Sequence, residues 1–171
     1  MLIPIDTLSN HKIEVDNFTY SLIHVDSSTL IKKDVKDKNG ITQNNEAGVY
    51  IFVLNKDYDN FKLIDFNSEV TGKFIKGDIT IGVPPFNNEK LQKDCIFYVG
   101  TAGNILSRVK EHWKSSEING CVSLKLGFDC RSIVKDYLDI YLIFEKDISS
   151  PITRQNLEKS IRNKFGSAFG K

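Results

Sequence analysis

Residues 95–113 read CIFYVGTAGNILSRVKEHW, and three textures follow one another within them. Ile96, Phe97, Tyr98 and Val99 form a β-branched and aromatic run. Gly100 and Gly103 break it, and from Ile105 the apolar positions Ile105, Leu106 and Val109 recur at helical spacing. The stretch predicts a strand, a glycine turn and a helix with Asn104 as its N-cap. Arg108 and His112, four residues apart, fall on one face of that helix. A phenol, the amides of the turn around Gly100 and Gly103, a guanidinium and an imidazole then face one small volume. The guanidinium fork suits phosphate oxygens and a helix N-terminus favours anions, so the pattern predicts a phosphate site.

A second triplet, Gly48-Val49-Tyr50, heads the strand-like run VYIFVL. Each triplet alone is common where a strand begins, and an isolated Arg, His or Glu on a helix is usually a solvated face. Their order carries more information: triplet, strand, second triplet Tyr98-Val99-Gly100, helix with Arg108 eight residues after Gly100, strand, helix with Glu158. That order resembles the GIY-YIG nuclease superfamily over residues 48–54 and 95–169.

The resemblance implies one α/β (α+β) domain with a small, mostly antiparallel central sheet flanked by helices. Two regions fall outside it, a β-rich N-terminal extension over 1–46 and an insertion over 55–94. Forty-seven residues separate Tyr50 from Tyr98, whereas family members join these strands by a short hairpin-like link. Members also tend to end with a proline and an asparagine after the last helix. Here Ser167 and Gly170 stand in that region, with no asparagine.

Moving outward, KIEV and FTYSLIHV read as short strands, and Asn39-Gly40 as a turn. The insertion holds the β-like pieces FKLIDF and DITIGV. Lys73 and Lys76, near a glycine bend, are within reach of a DNA backbone, although such lysines more often blunt an edge strand. Residues 121–135 read as partly buried with Arg131 facing phosphate. YLDIYLIFE, residues 137–145, is the clearest strand and the expected centre of the sheet. Ser149-Ser150-Pro151 opens a last helix to about Phe165, with the apolar stripe Ile152, Leu157, Ile161 and Phe165.

A chain of 171 residues with 40% hydrophobic content supports one core. No run approaches the roughly 20 apolar residues of a membrane span, and MLIPIDTLSN lacks the blocks of a signal peptide, which predicts a soluble cytoplasmic protein with no membrane partner. Cys95, Cys121 and Cys130 lack C-x-x-C spacing and read as small buried residues. His11 and His24 have no ligand cluster around them. The net charge of +1 is low for a nucleic-acid binder, but residues 101–171 carry 12 Lys and Arg against 8 Asp and Glu, and the first 100 carry 11 against 14. The basic part coincides with the candidate site.

The resemblance implies a Mg²⁺-dependent endonuclease that hydrolyses DNA phosphodiesters, of restriction or phage type, with a homodimer to cut both strands. Glu158 would hold Mg²⁺, or Mn²⁺ in its place, as a single carboxylate supplemented by waters and a substrate oxygen. Arg108 would bind the scissile phosphate. Tyr50 would activate water with Tyr98 as hydrogen-bonding partner, or the reverse, and His112 would orient the tyrosine or pass on its proton. The alternative is a catalytically impaired module that keeps the fold and binds DNA without cutting it.

Overall fold

The computed structural model describes residues 11–25, 46–54, 73–76, 79–82, 95–113, 135, 137–144, 148 and 150–167. The strands are β1 (Lys12–Val15), β2 (Phe18–Ser21), β3 (Ile23–Val25), β4 (Gly48–Leu54), β5 (Lys73–Lys76), β6 (Ile79–Gly82), β7 (Ile96–Ala102) and β8 (Leu138–Phe144). Helix α1 spans Ile105–Trp113 and α2 spans Pro151–Phe165. The fold is α+β with antiparallel sheets: four strands in the order β3-β8-β4-β7, and two hairpins, β1-β2 and β5-β6.

Two interior strands anchor the main sheet. β4 is buried along its whole length, and β8 pairs with it from Gly48↔Phe144 to Leu54↔Leu138. Period-two alternation sends β4 side chains to two apolar layers. Tyr50, Phe52 and Leu54 join Ile105, Leu106 and Val109 of α1. Val49, Ile51 and Val53 join Leu157, Ile161 and Phe165 of α2 and Ile13 and Val15 of the first hairpin. The central strand expected from YLDIYLIFE is found as β8, which is thus interior and shares the centre with β4. β3 joins the sheet through Ile23↔Leu142, which brings part of the N-terminal extension into the same core.

The β4-β7 register contains a bulge. Phe52 faces Tyr98, but Val53 faces Ile96, so Phe97 is the extra residue. Ile96 and Val99 enter the α2 layer, whereas Phe97 and its neighbour Tyr98 both pack in the α1 layer. A bulge re-aims side chains in this way, and here it puts Phe97 into the α1 layer beside Tyr98, which keeps its regular place opposite Phe52.

Both helices begin where their caps place them. Asn104 Oδ1 accepts from Ser107 N at 3.0 Å, and Ser150 Oγ from Thr153 N at 3.1 Å, with Pro151 at the first turn of α2. The stripe expected on α2 is corrected in its first turn. Ile152 is 70% exposed and Arg154 is buried with Leu157, Ile161 and Phe165. Positions 154, 157, 161 and 165 follow the helical repeat, and Ile152, about 200° from Arg154 around the axis, cannot share their face.

Of the insertion, β5 and β6 pair over Lys73↔Gly82 to Lys76↔Ile79. The FKLIDF strand, the region of residues 121–130, Arg131 and Gly170 lie outside the described residues. No helix among the described residues is long and apolar enough to cross a membrane.

Candidate active site

β7 ends the main sheet among the described strands, with α1 on one face of the sheet and α2 on the other, and both helices pack on this strand. Around β7, five residues singled out in the sequence come together from four elements. Tyr50 stands on β4, Tyr98 on β7, Arg108 and His112 on α1, and Glu158 on α2.

Gly100 is the residue opposite Tyr50 in the β4-β7 ladder. A Cβ there would run into the Tyr50 hydroxyl and lie 2.6 Å from its Cζ, so the phenol crosses the neighbouring strand only because that position is glycine. Gly48 has a similar constraint, since a Cβ would meet the Ile143 carbonyl and stand 3.1 Å from Ile105 Cδ1. The glycines of the two triplets therefore have identifiable steric work.

Tyr50 is 1% exposed and His112 is wholly buried, and Tyr50 Oη is hydrogen-bonded to His112 Nε2 at 2.8 Å. The Tyr50 hydroxyl also bonds with Arg108 and with Tyr98. The three rings form a close group, with His112 4.9 Å from Tyr98 and 5.2 Å from Tyr50, and the two phenols 6.0 Å apart, between centroids. Burial pushes the Tyr50 phenol far above its ordinary range, the Tyr98 phenol adds to this, and the Arg108 guanidinium opposes it. Burial also raises Tyr98, against the hydrogen bond from Tyr50 and the charges of Arg108 and Arg162. Tyr98 is only half-buried, so of the two phenols it is the one that a ligand or water can reach. Tyr50, favoured from the sequence as the base, is the less accessible of the two phenols. Its hydroxyl faces the imidazole in the interior.

On α1, Arg108 Nη1 donates to Glu111 Oε2 at 2.6 Å. On α2, Arg162 Nη2 donates to Glu158 Oε1 at 2.7 Å, and the Glu158 carboxylate also hydrogen-bonds with the Thr101 side chain of β7. Desolvation raises the Glu158 pKa, with Arg162 and Thr101 opposing the rise. Glu158 and Tyr98 are close enough to feel one another's charge. Arg162, Glu111, Thr101 and the buried Arg154 were not singled out from the sequence. Arg162 repeats, relative to Glu158, the four-residue spacing that drew attention to Arg108 and His112.

Other expectations are not met by the same group. A Cβ at Gly103 would meet nothing within 4 Å, so this glycine is not demanded by close packing. The N-terminus of α1, expected to face an anion, is engaged by the chain itself. Ile105 N donates to Glu46 O at 2.9 Å and Ser107 N to Asn104. Lys73 and Lys76 begin and end β5, in a hairpin that forms its own sheet. Trp113 stacks on Phe52 with ring centroids 6.5 Å apart, a packing role. His24 meets Asp139 at 3.2 Å on the exposed side of β3.

Comparison with family models, with curated proteins and with solved structures found no match to this chain. Among the described residues no group of three or more His, Cys, Asp and Glu gathers as a metal cage. What is present is the half-buried Glu158 carboxylate beside a reachable phenol and two guanidiniums, with a second carboxylate, Glu111, engaged by Arg108. Such a donor set suits a cation that keeps most of its waters and takes a single protein carboxylate, as Mg²⁺ does, and does not suit a caged metal.

Proposed function

We propose that the chain is a Mg²⁺-dependent endonuclease of GIY-YIG type that hydrolyses DNA phosphodiester bonds. The observation that carries this reading is the convergence of Tyr50, Tyr98, Arg108, His112 and Glu158 from β4, β7, α1 and α2 around one strand. Two tyrosines on adjacent antiparallel strands, an arginine on the next helix and a late glutamate are the parts that phosphodiester hydrolysis in that family requires.

In this reading Arg108 exchanges Glu111 for the scissile phosphate and binds its oxygens through the guanidinium fork. Its positive charge counters the charge gained in the transition state. Tyr98, as the phenolate, takes the proton of the attacking water; it is the reachable phenol, and the guanidiniums of Arg108 and Arg162 oppose the rise that burial imposes on it. Tyr50, fixed by His112, positions Tyr98 and carries the hydrogen-bond chain into the interior. Glu158 would hold Mg²⁺. When bound there, Mg²⁺, or Mn²⁺, would polarise the phosphoryl group and stabilise the leaving alkoxide. Lys73, Lys76 and Arg131 remain candidates for backbone contacts beyond the scissile phosphate, and a homodimer would account for cutting both strands.

The second reading, a DNA-binding module without turnover, draws on Ser167. It is buried after the last helix, in the region where family members carry asparagine. The test is incubation of purified protein with supercoiled plasmid and Mg²⁺, beside Glu158→Ala, Arg108→Ala and an EDTA control. Cleavage by the wild type alone supports the nuclease. Salt-sensitive binding without cleavage selects the binding module, and neither binding nor cleavage rejects both.

A further inference from the structure

We propose that Arg162 is a second phosphate-binding side chain, held on Glu158 in the free protein and released to DNA when Glu158 coordinates a divalent cation. This rests on reading the site as a metal-dependent DNA-cleaving centre, and it concerns a residue outside the signature that suggested that reading.

The geometry is that of two matched arms. Each helix beside β7 offers one guanidinium held by a carboxylate of the same helix: Arg108 by Glu111 at 2.6 Å on α1, and Arg162 by Glu158 at 2.7 Å on α2. Arg108 stands on α1 and Arg162 on α2, and the charges of both reach Tyr98. Their side chains are similarly accessible, at 23% and 25%. If Arg108 on one side serves a phosphate, Arg162 on the other is placed for a neighbouring phosphate of the same strand.

The two holding carboxylates differ. Glu111 serves Arg108 on the outer turn of α1, whereas Glu158 also bonds with Thr101 and acts on Tyr98. A carboxylate shared between a guanidinium and a dication loses most of its attraction for the guanidinium, and the two positive charges repel. A phosphodiester offers the displaced guanidinium a charged acceptor of matching geometry. Glu158 thereby couples two events: its coordination of a cation and the appearance of a second anion-binding arm.

The probe is a short fluorescein-labelled duplex of mixed sequence, titrated by anisotropy over a range of KCl concentrations, in EDTA and separately in Ca²⁺, with intact duplex verified on a gel. Each phosphate contact contributes about 0.9 to the slope of log K against log salt. In Ca²⁺, Arg162→Gln is expected to lower the slope by about 0.9 relative to wild type, and in EDTA to leave it unchanged. Arg108→Gln lowers it in both media. Glu158→Gln, which frees Arg162 without a cation, raises the slope in EDTA, and Glu158→Gln/Arg162→Gln loses that gain. This last pair carries the test if Arg162→Gln alone fails to fold.

Equal slopes for wild type and Arg162→Gln in Ca²⁺, the same loss in both media, or no effect of Glu158→Gln in EDTA would overturn the inference. If Arg108→Gln behaves as expected and Arg162→Gln does not, only the second arm fails. Absence of salt-sensitive binding by the wild type removes the DNA-cleaving reading and this inference together.

Discussion

Tyr50 Oη and His112 Nε2 lie 2.8 Å apart in a buried contact that joins an interior strand to α1. The contact sets the two tyrosines apart in position, because it fixes one phenol in the interior while the other is half-buried in the same ring cluster. Tyr50→Phe keeps the ring and removes the hydroxyl from three polar partners, so urea denaturation should show a loss of about 1–3 kcal/mol. Tyr98→Phe should cost less than Tyr50→Phe, because Tyr98 is only half-buried. If Tyr98 handles the proton of water, its variant should slow plasmid cleavage by about 100-fold or more.

Gly100 and Gly103 should respond differently to alanine. At Gly100 the new methyl group meets the Tyr50 phenol, and overpacking of that kind typically costs about 1–3 kcal/mol. At Gly103 it meets open space, and the change should stay within about 0.5 kcal/mol. Thermal or urea unfolding of the two variants checks the pair. A larger loss at Gly103 than at Gly100 would contradict the packing described.

Glu158 makes a signed contribution to stability against pH. Its pKa is raised in the folded state by desolvation, so between its ordinary value and the raised one the folded protein binds more protons than the unfolded chain. Its contribution is fully present below the ordinary Glu value and is lost as pH rises through the raised folded value. Glu158→Gln removes that dependence. The stability of the variant relative to wild type should grow as pH rises through this window and level off above it, measured by urea unfolding at a series of pH values.

The tyrosines act at the other end of the scale. Burial raises Tyr50 and Tyr98 in the folded state, so from about pH 10 upward the unfolded chain ionises first and stability falls. Tyr50→Phe lacks the largest of these titrations. Its deficit relative to wild type should narrow in alkaline unfolding experiments, with the crossover beginning near the ordinary tyrosine range.

Much of the framework was legible because local signals agreed with one another. The change of period at Gly100, the Asn104 and Ser150 caps and the apolar run of β8 marked β7, α1, α2 and an interior strand within a residue or two. The five converging side chains were legible as an ordered set, since no pairwise spacing spans the 62 positions from Tyr50 to His112. Tertiary effects were not legible. Ile152 is apolar yet exposed, and Arg154 is charged yet buried, because the packing partner of α2 selects the face and hydrophobicity alone does not. The Glu46 carbonyl that engages the start of α1 comes from a segment 59 positions earlier. Arg162 escaped notice because an i,i+4 acid–base pair on a helix ordinarily signals no more than a solvated face.

The extra residue at Phe97 gives β7 a phase as well as a sequence. With the bulge, positions 95, 97 and 98 belong to the α1 layer and 96 and 99 to the α2 layer. Deleting Phe97 while the bulge stays at the same point of the ladder would shift every later residue of β7 by one, and Thr101 would replace Gly100 opposite Tyr50. The chain would still contain Tyr50, Tyr98, Arg108, His112 and Glu158, but a side chain would stand where a glycine now leaves room for the Tyr50 hydroxyl. The grouping of these side chains is thus encoded as a count along the backbone, and a frame error of one position would undo it without substituting any member.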